Sequence, residues 1–128
     1  MFPFLRGRLA SFKPAFAGIR HVLQSQPNAR IHAFISVAVI LVGFWLGLNS
    51  SEWGLIVVAM ALVWATEFMN TALEAAVDLV GPNHHRLAMI AKDVSAAAVV
   101  IAALAAVVVG LLLLGPPLWE RAISWFGG

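Results

Sequence analysis

The chain has no cysteine, which excludes disulfides and thiol chemistry. Charge is nearly as scarce: eight Lys and Arg plus six Asp and Glu make up 11% of the 128 residues. A soluble domain carries about 25% charged and about 45–50% apolar residues. Here the apolar share is 62% and the mean hydropathy +0.93. So short a chain with so little polar surface cannot stay soluble, and composition defines an integral membrane protein. The basic residues are scattered, so the net charge of +2 and the pI near 10.0 do not indicate a nucleic-acid partner. The stretch before Ile31 lacks a continuous apolar core with a small-residue cleavage site, so no cleaved signal peptide is expected. There is no internal repeat and no low-complexity linker.

A spanning helix needs about 20 mostly apolar residues. Residues 31–48 supply a first span, 53–80 a second with a polar extension, and 92–114 a third. Residues 115–128 form a tail on the far side, where Trp119 and Trp125 suit interfacial anchoring. Between the first two spans, "NSSE" (Asn49 to Glu52) has helix N-cap composition. After the second, Gly81 and Pro82 give a helix stop. Arg6, Arg8, Lys13, Arg20 and Arg30 precede span one, Arg86 between spans two and three and Lys92 at the opening of span three form a second group, and Arg121 alone follows span three. Three spans place the first two groups on one side, seven against one, so the positive-inside rule puts the N-terminus in the cytoplasm.

Residues 1–29 are basic and aromatic. Phe4, Phe12, Phe16, Ile19 and Leu23 recur at roughly helical spacing, while Arg6, Lys13 and Arg20 are seven apart. This pattern predicts an amphipathic helix lying in the membrane interface, with Pro3, Pro14 and Pro27 limiting its continuity. The fold expected is thus an all-α membrane protein, a surface helix plus three transmembrane helices. Small residues in span three, among them Ser95, Ala98, Ala102 and Gly110, permit close helix approach within one chain or between subunits. A bundle of only three spans is thin, and oligomerisation is expected.

Four of the six acidic residues fall between Trp64 and Val94: Glu67, Glu74, Asp78 and Asp93. A helix turns by about 100° per residue. With Glu67 at zero, Asn70 lies at about −60°, Thr71 at about +40°, Glu74 at about −20° and Asp78 at about +20°. They form one polar stripe about 100° wide and about 16 Å long, with apolar residues between. About 20 residues from Trp53 cross the hydrocarbon core, so Glu67 is still inside the membrane, and Glu74, Asp78, Lys92 and Asp93 reach the headgroups. Asn70 and Thr71 suit helix–helix hydrogen bonding, and Asp78 suits simple solvation. An intramembrane carboxylate such as Glu67, however, marks a functional site. Stacked carboxylates beside an amide suit Mg²⁺ shared with substrate phosphates, with the deepest carboxylate as general base on a lipid hydroxyl. An ion-conducting or transport-accessory oligomer fits the same stripe.

"EFMNTALEAAVDLV" (Glu67 to Val80) followed by "AKDVSAAAVV" (Ala91 to Val100) resembles the prokaryotic diacylglycerol kinase family, whose signature reads E-x-x-N-[ST]-A-[IL]-E-x-x-V-D and then A-K-D. The resemblance spans most of the chain, about Ser11 to Leu114. It implies a multi-pass protein of the bacterial cytoplasmic membrane. This would be a homotrimer that phosphorylates a lipid alcohol with Mg²⁺ and ATP at sites built by neighbouring subunits. The sequence correspondingly has neither a P-loop nor a kinase Gly-rich loop. By motif, Glu67 is implied as the general base and Glu74 as the Mg²⁺ ligand, with Asn70 and Thr71 in support. Glu74, Asp78, Asn83, His84, His85, Lys92 and Asp93 are implied on the nucleotide side. Two adjacent His with no third ligand at metal spacing do not make a zinc site; read without the family, that pair is a solvated loop.

One position departs from the pattern. The family's second metal-binding glutamate, just before span one, is here Gln26, which offers a carbonyl oxygen but no charge. A site with one carboxylate fewer is expected to bind Mg²⁺ more weakly. The alternative is a non-catalytic or ion-conducting oligomer that has lost kinase activity through Gln26. The approach to span one, Asn28, Arg30, Ile31 and His32, looks like the undecaprenol kinase branch, so undecaprenol is the favoured acceptor and diacylglycerol the next. Without the family, His32 at a membrane boundary reads as a packing or interface residue.

Overall fold

The computed structural model describes residues 2–81 and 85–127, with side chains from Phe12 onward. Pro82, Asn83 and His84 lie outside the described residues. Four helices account for nearly all the described residues: α1 Phe2–Ser25, α2 Pro27–Leu46, α3 Ser50–Val80 and α4 Arg86–Phe126. Among the described residues there is no strand. The last three helices are long and apolar enough to cross a membrane.

Local chemistry explains each boundary. Pro27 occupies the first turn of α2, where its missing N–H costs nothing, and Gln26 is the extended N-cap. Gly47 ends α2 in the left-handed region (φ 74°), where a side chain would be strained. Its N–H and that of Leu48 return to the Gly43 carbonyl. Asn49 and Glu52 then form a capping box on α3. The Asn49 side chain accepts from Ser51 and Glu52 N–H at 2.9 and 3.1 Å, and Glu52 accepts from Asn49 N–H at 2.7 Å. At the start of α4, His85 Nδ1 accepts from Leu87 N–H at 3.3 Å.

One proline expectation changed. α1 runs through Pro14 without a break. On an exposed helix, water can satisfy the carbonyl that proline leaves without a donor. Beyond the third span, α4 continues as far as Phe126, through Pro116 and Pro117. At about 1.5 Å per residue, α4 is about 60 Å long, twice a hydrocarbon core of about 30 Å.

α2, α3 and α4 run up, down and up, and the most extensive pairing is that of α3 with α4. At one end, Trp53 tilts against Phe44 with ring centroids 4.9 Å apart, and the Arg121 guanidinium lies 4.6 Å from the centre of the Trp45 ring. α1 packs chiefly on α2, where Val22 and Ala29 are buried at the junction. The Arg30 guanidinium donates to the Gln24 carbonyl at 3.1 Å and ties the two helices together. Beyond that contact, Phe12, Phe16 and Ile19 are exposed, as an interfacial helix requires.

Gly43 is a tight backbone approach in the bundle. A Cβ there would stand 2.8 Å from the Trp53 ring and 3.1 Å from Leu48. Because the ring is wedged against Phe44, it cannot move without losing that contact. Gly43→Ala is expected to lower stability by about 1–3 kcal/mol and to shift tryptophan emission. Thermal unfolding in micelles checks this, and an unchanged melting temperature would contradict the packing.

Candidate active site

The buried residues of α3 follow one face: Ile56, Val63, Glu67, Asn70 and Thr71. The spacing is helical, but the chemistry switches from apolar to polar halfway. The same stripe that packs the bundle at one end thus carries carboxylate and amide at the other. Exposure rises along it: 2% at Glu67, 9% at Asn70, half-buried at Glu74 and 60% for the Asp78 side chain.

Several of these polar residues meet a partner on another helix. Ser95 Oγ on α4 donates to Asn70 Oδ1 at 2.6 Å, and Asn70 Nδ2 donates to Glu74 Oε1 at 3.2 Å. An ionised carboxylate only accepts, so the Asn70 amide must turn its NH2 to Glu74 and its carbonyl to Ser95. Ser95 Oγ also lies 2.9 Å from the Lys92 carbonyl. Further out, Lys92 Nζ meets Asp78 Oδ1 at 2.6 Å. With Asp78 largely exposed, that pair contributes at most about 1 kcal/mol to stability. On the α2 side, His32 Nε2 stands 3.8 Å from Glu67 Oε2, and Trp64 Nε1 donates to Ser36 Oγ at 3.1 Å.

The structure therefore brings Asn70 and Glu74 together and pairs Asp78 with Lys92. Thr71 turns back on its own helix, donating to the Glu67 carbonyl at 2.9 Å. Asp93 is exposed. His85 caps α4 and lines a shallow cleft with Val77 and Ala88. Gln26 is half-buried at the α1–α2 junction, with no side-chain hydrogen bond to the cap it occupies. Among the described residues, no three His, Cys, Asp or Glu side chains are grouped as a metal cage.

Sequence reasoning gave Ser95 a packing role, and His32 a boundary role and a part in the branch resemblance, but neither a place at the site. Their contacts link α4 to α3 and α2 to α3, far apart along the chain. No local pattern reports them. The available signal was the antiparallel register of the spans, which sets His32 and Ser95 at the level of Glu67 and Asn70.

These features define a helical membrane protein with a carboxylate–amide site where its spanning helices meet at one end. Residues 13–114 match the prokaryotic diacylglycerol kinase family. The chain is 48% identical to a diacylglycerol kinase of Synechocystis over 86% of its own length and 63% of that relative's. It is 37% identical to the undecaprenol kinase of Bacillus subtilis, covering 84% of this chain and 88% of the relative. It is 30% identical to the diacylglycerol kinase of Escherichia coli, covering 68% and 71%. The chain belongs to the prokaryotic diacylglycerol kinase family, whose named members are lipid kinases.

Proposed function

We propose that the protein transfers the terminal phosphoryl group of ATP to a membrane lipid alcohol, with undecaprenol favoured over diacylglycerol. The observation that carries this is Glu67, a carboxylate 2% exposed within a spanning helix, with one oxygen unmatched. Such a group has no packing use and suits a general base for a hydroxyl delivered from the lipid phase. The acceptor O–H proton passes to Glu67 as its oxygen bonds the terminal phosphorus, and the bond to the ADP oxygen breaks. Glu74, held by Asn70, lies between this carboxylate and the exposed end of the stripe, where a soluble nucleotide has access. Lys92 can leave its exposed pairing with Asp78 to meet phosphate charge.

The donor set fits Mg²⁺. That ion takes one or two protein carboxylates plus substrate phosphates rather than a closed protein cage. Glu74 would hold it, with Gln26 contributing an amide oxygen at most. Bound there, it would neutralise phosphate charge. A single chain offers few ligands, so we place the complete site in a homotrimer, with Gln26, His85 and Asp93 facing elements of neighbouring copies. Asn83 and His84 are proposed on the nucleotide side from the family motif. The Lys and Arg distribution supports an inner-membrane protein with its N-terminus and the α3–α4 turn on the cytoplasmic side.

Reconstitution with Mg·ATP and undecaprenol, diacylglycerol or no lipid tests this reading, because relatives of both names match. Label in either lipid is the expected result. No label in any lipid alcohol would favour the second reading, a non-catalytic or ion-conducting oligomer, which Gln26 supports. Gln26→Glu restores a charge and is expected to lower the Mg²⁺ concentration giving half-maximal rate by about tenfold, a change within the range that ligand charge tunes. An unchanged Mg²⁺ dependence would remove Gln26 from the metal site.

A further inference from the structure

Among the described residues, Glu67 Oε2 is the buried side-chain oxygen without a hydrogen-bond partner. His32 Nε2 is 3.8 Å from it, beyond the range of a direct N–H···O bond, about 2.7–3.2 Å. The His32 side chain is 16% exposed, so solvent reaches the pair poorly. An oxygen that both donates and accepts, placed at about 2.8 Å from each, would bridge them once the two side chains part to admit it, since Oε2 is fully buried. A hydroxyl is such an oxygen.

His32 also heads an apolar cavity of about 370 Å³ between α2, α3 and α4. Ile35 and Val39 form one wall, Ile56 and Val63 the floor, and Ala106 and Leu114 the other wall. Ser36, the other polar side chain on the lining, already accepts from Trp64. On α4 the lining extends from Ala103 to Leu118, about 22 Å along the axis. Gly110 leaves room midway, since a Cβ there would meet nothing within 4 Å.

We infer that Glu67 Oε2 and His32 Nε2 together seat the acceptor hydroxyl, and that the acceptor's hydrocarbon chain lies in this groove. The inference rests on the phosphoryl-transfer reading above and deepens it. With a proton on Nε2, His32 donates to the hydroxyl oxygen while the hydroxyl donates to Glu67. His32 is then a catalytic residue, holding the oxygen while its proton leaves to Glu67 and the O–P bond forms. The groove offers one polar end and a long apolar floor. That matches a polyprenol, a single chain with one terminal hydroxyl. A glycerolipid would bring ester carbonyls into the same apolar space without donors.

The test uses full-length protein in nanodiscs with a polyprenol and Mg·ATP. His32→Leu is expected to lower kcat/KM for the polyprenol about 10- to 100-fold, the loss of one hydrogen bond to the reacting group. KM for Mg·ATP should stay unchanged. His32→Gln, which keeps a donor, should recover most of the loss. Gly110→Phe should raise KM for a long polyprenol and much less for a ten-carbon prenol. A polyprenol carrying a photoreactive group along its chain should label Val39, Met60 and Ala106, with or without ATP. If wild-type protein is active but His32→Leu retains its polyprenol kcat/KM, the seat is wrong and the kinase reading stands. If wild type phosphorylates no lipid yet the groove is labelled, the kinase reading fails and the chain site stands. Labelling confined to outward-facing Ile101, Leu104 and Val108, as when a second copy fills the groove, would overturn the chain site.

Discussion

Replacing Glu67 by Gln is expected to reduce phosphoryl transfer to lipid about 10²- to 10⁴-fold, the range lost with a general base. The amide has nearly the same shape, so the bundle should survive. Stability is expected to hold or rise, because a buried carboxylate with an unmatched oxygen is exchanged for a neutral group. Binding of Mg·ATP should be little affected, since Glu67 is the most buried member of the stripe and the nucleotide approaches from the exposed end. The measurements are single-turnover transfer, nucleotide titration and thermal unfolding in the same micelles. Transfer near the wild-type rate would remove Glu67 from the chemistry. Lost transfer accompanied by lost folding would instead make it a structural residue.

Asn70→Leu is expected to have the second largest effect, combining lost activity with lost stability. Asn70 accepts from Ser95 and donates to Glu74, so it joins α4 to the carboxylate that would hold the metal. Leucine fills the volume but returns neither bond. Glu74 loses the donor that fixes its rotamer, and Ser95 keeps only its bond to the Lys92 carbonyl. Removing groups that orient a metal ligand reduces activity about 10- to 100-fold, and the unmatched polar groups cost about 1–3 kcal/mol. Ser95→Ala leaves Asn70 with its bond to Glu74, so its effect should be smaller in both respects. Equal effects from the two variants would mean that the link to α4, rather than Glu74 alignment, is what Asn70 provides. No effect from Asn70→Leu would refute the network.

The polar stripe was legible because it lies on one helix. Glu67, Asn70, Glu74 and Asp78 share a face through the helical period, and that period is a property of sequence alone. Gln26 stood out only through the family resemblance, which implies a glutamate there, and no local pattern marks it. The capping box at Asn49 and Glu52 was visible in part, since "NSSE" has N-cap composition. Proline was misleading in part. Pro14 suggested a break that α1 does not make, whereas the break expected at Pro27 is there, between α1 and α2; α4 likewise runs through Pro116 and Pro117. Each proline removes one hydrogen bond, and a long helix held by its other bonds tolerates that loss.

By itself, then, the sequence determined the membrane class, the three spans, the uneven distribution of Lys and Arg between their ends and the identity of the carboxylate stripe. All of these follow from composition, run length and period, which are local quantities. The tertiary structure alone decided which groups meet that stripe: Ser95 orienting Asn70, Lys92 paired with Asp78, and His32 facing the unmatched oxygen of Glu67. Those meetings depend on the rotation and register of one helix against another. A rotation of about 100°, or a slip of one residue, leaves the pattern within each helix unchanged while replacing every partner across it.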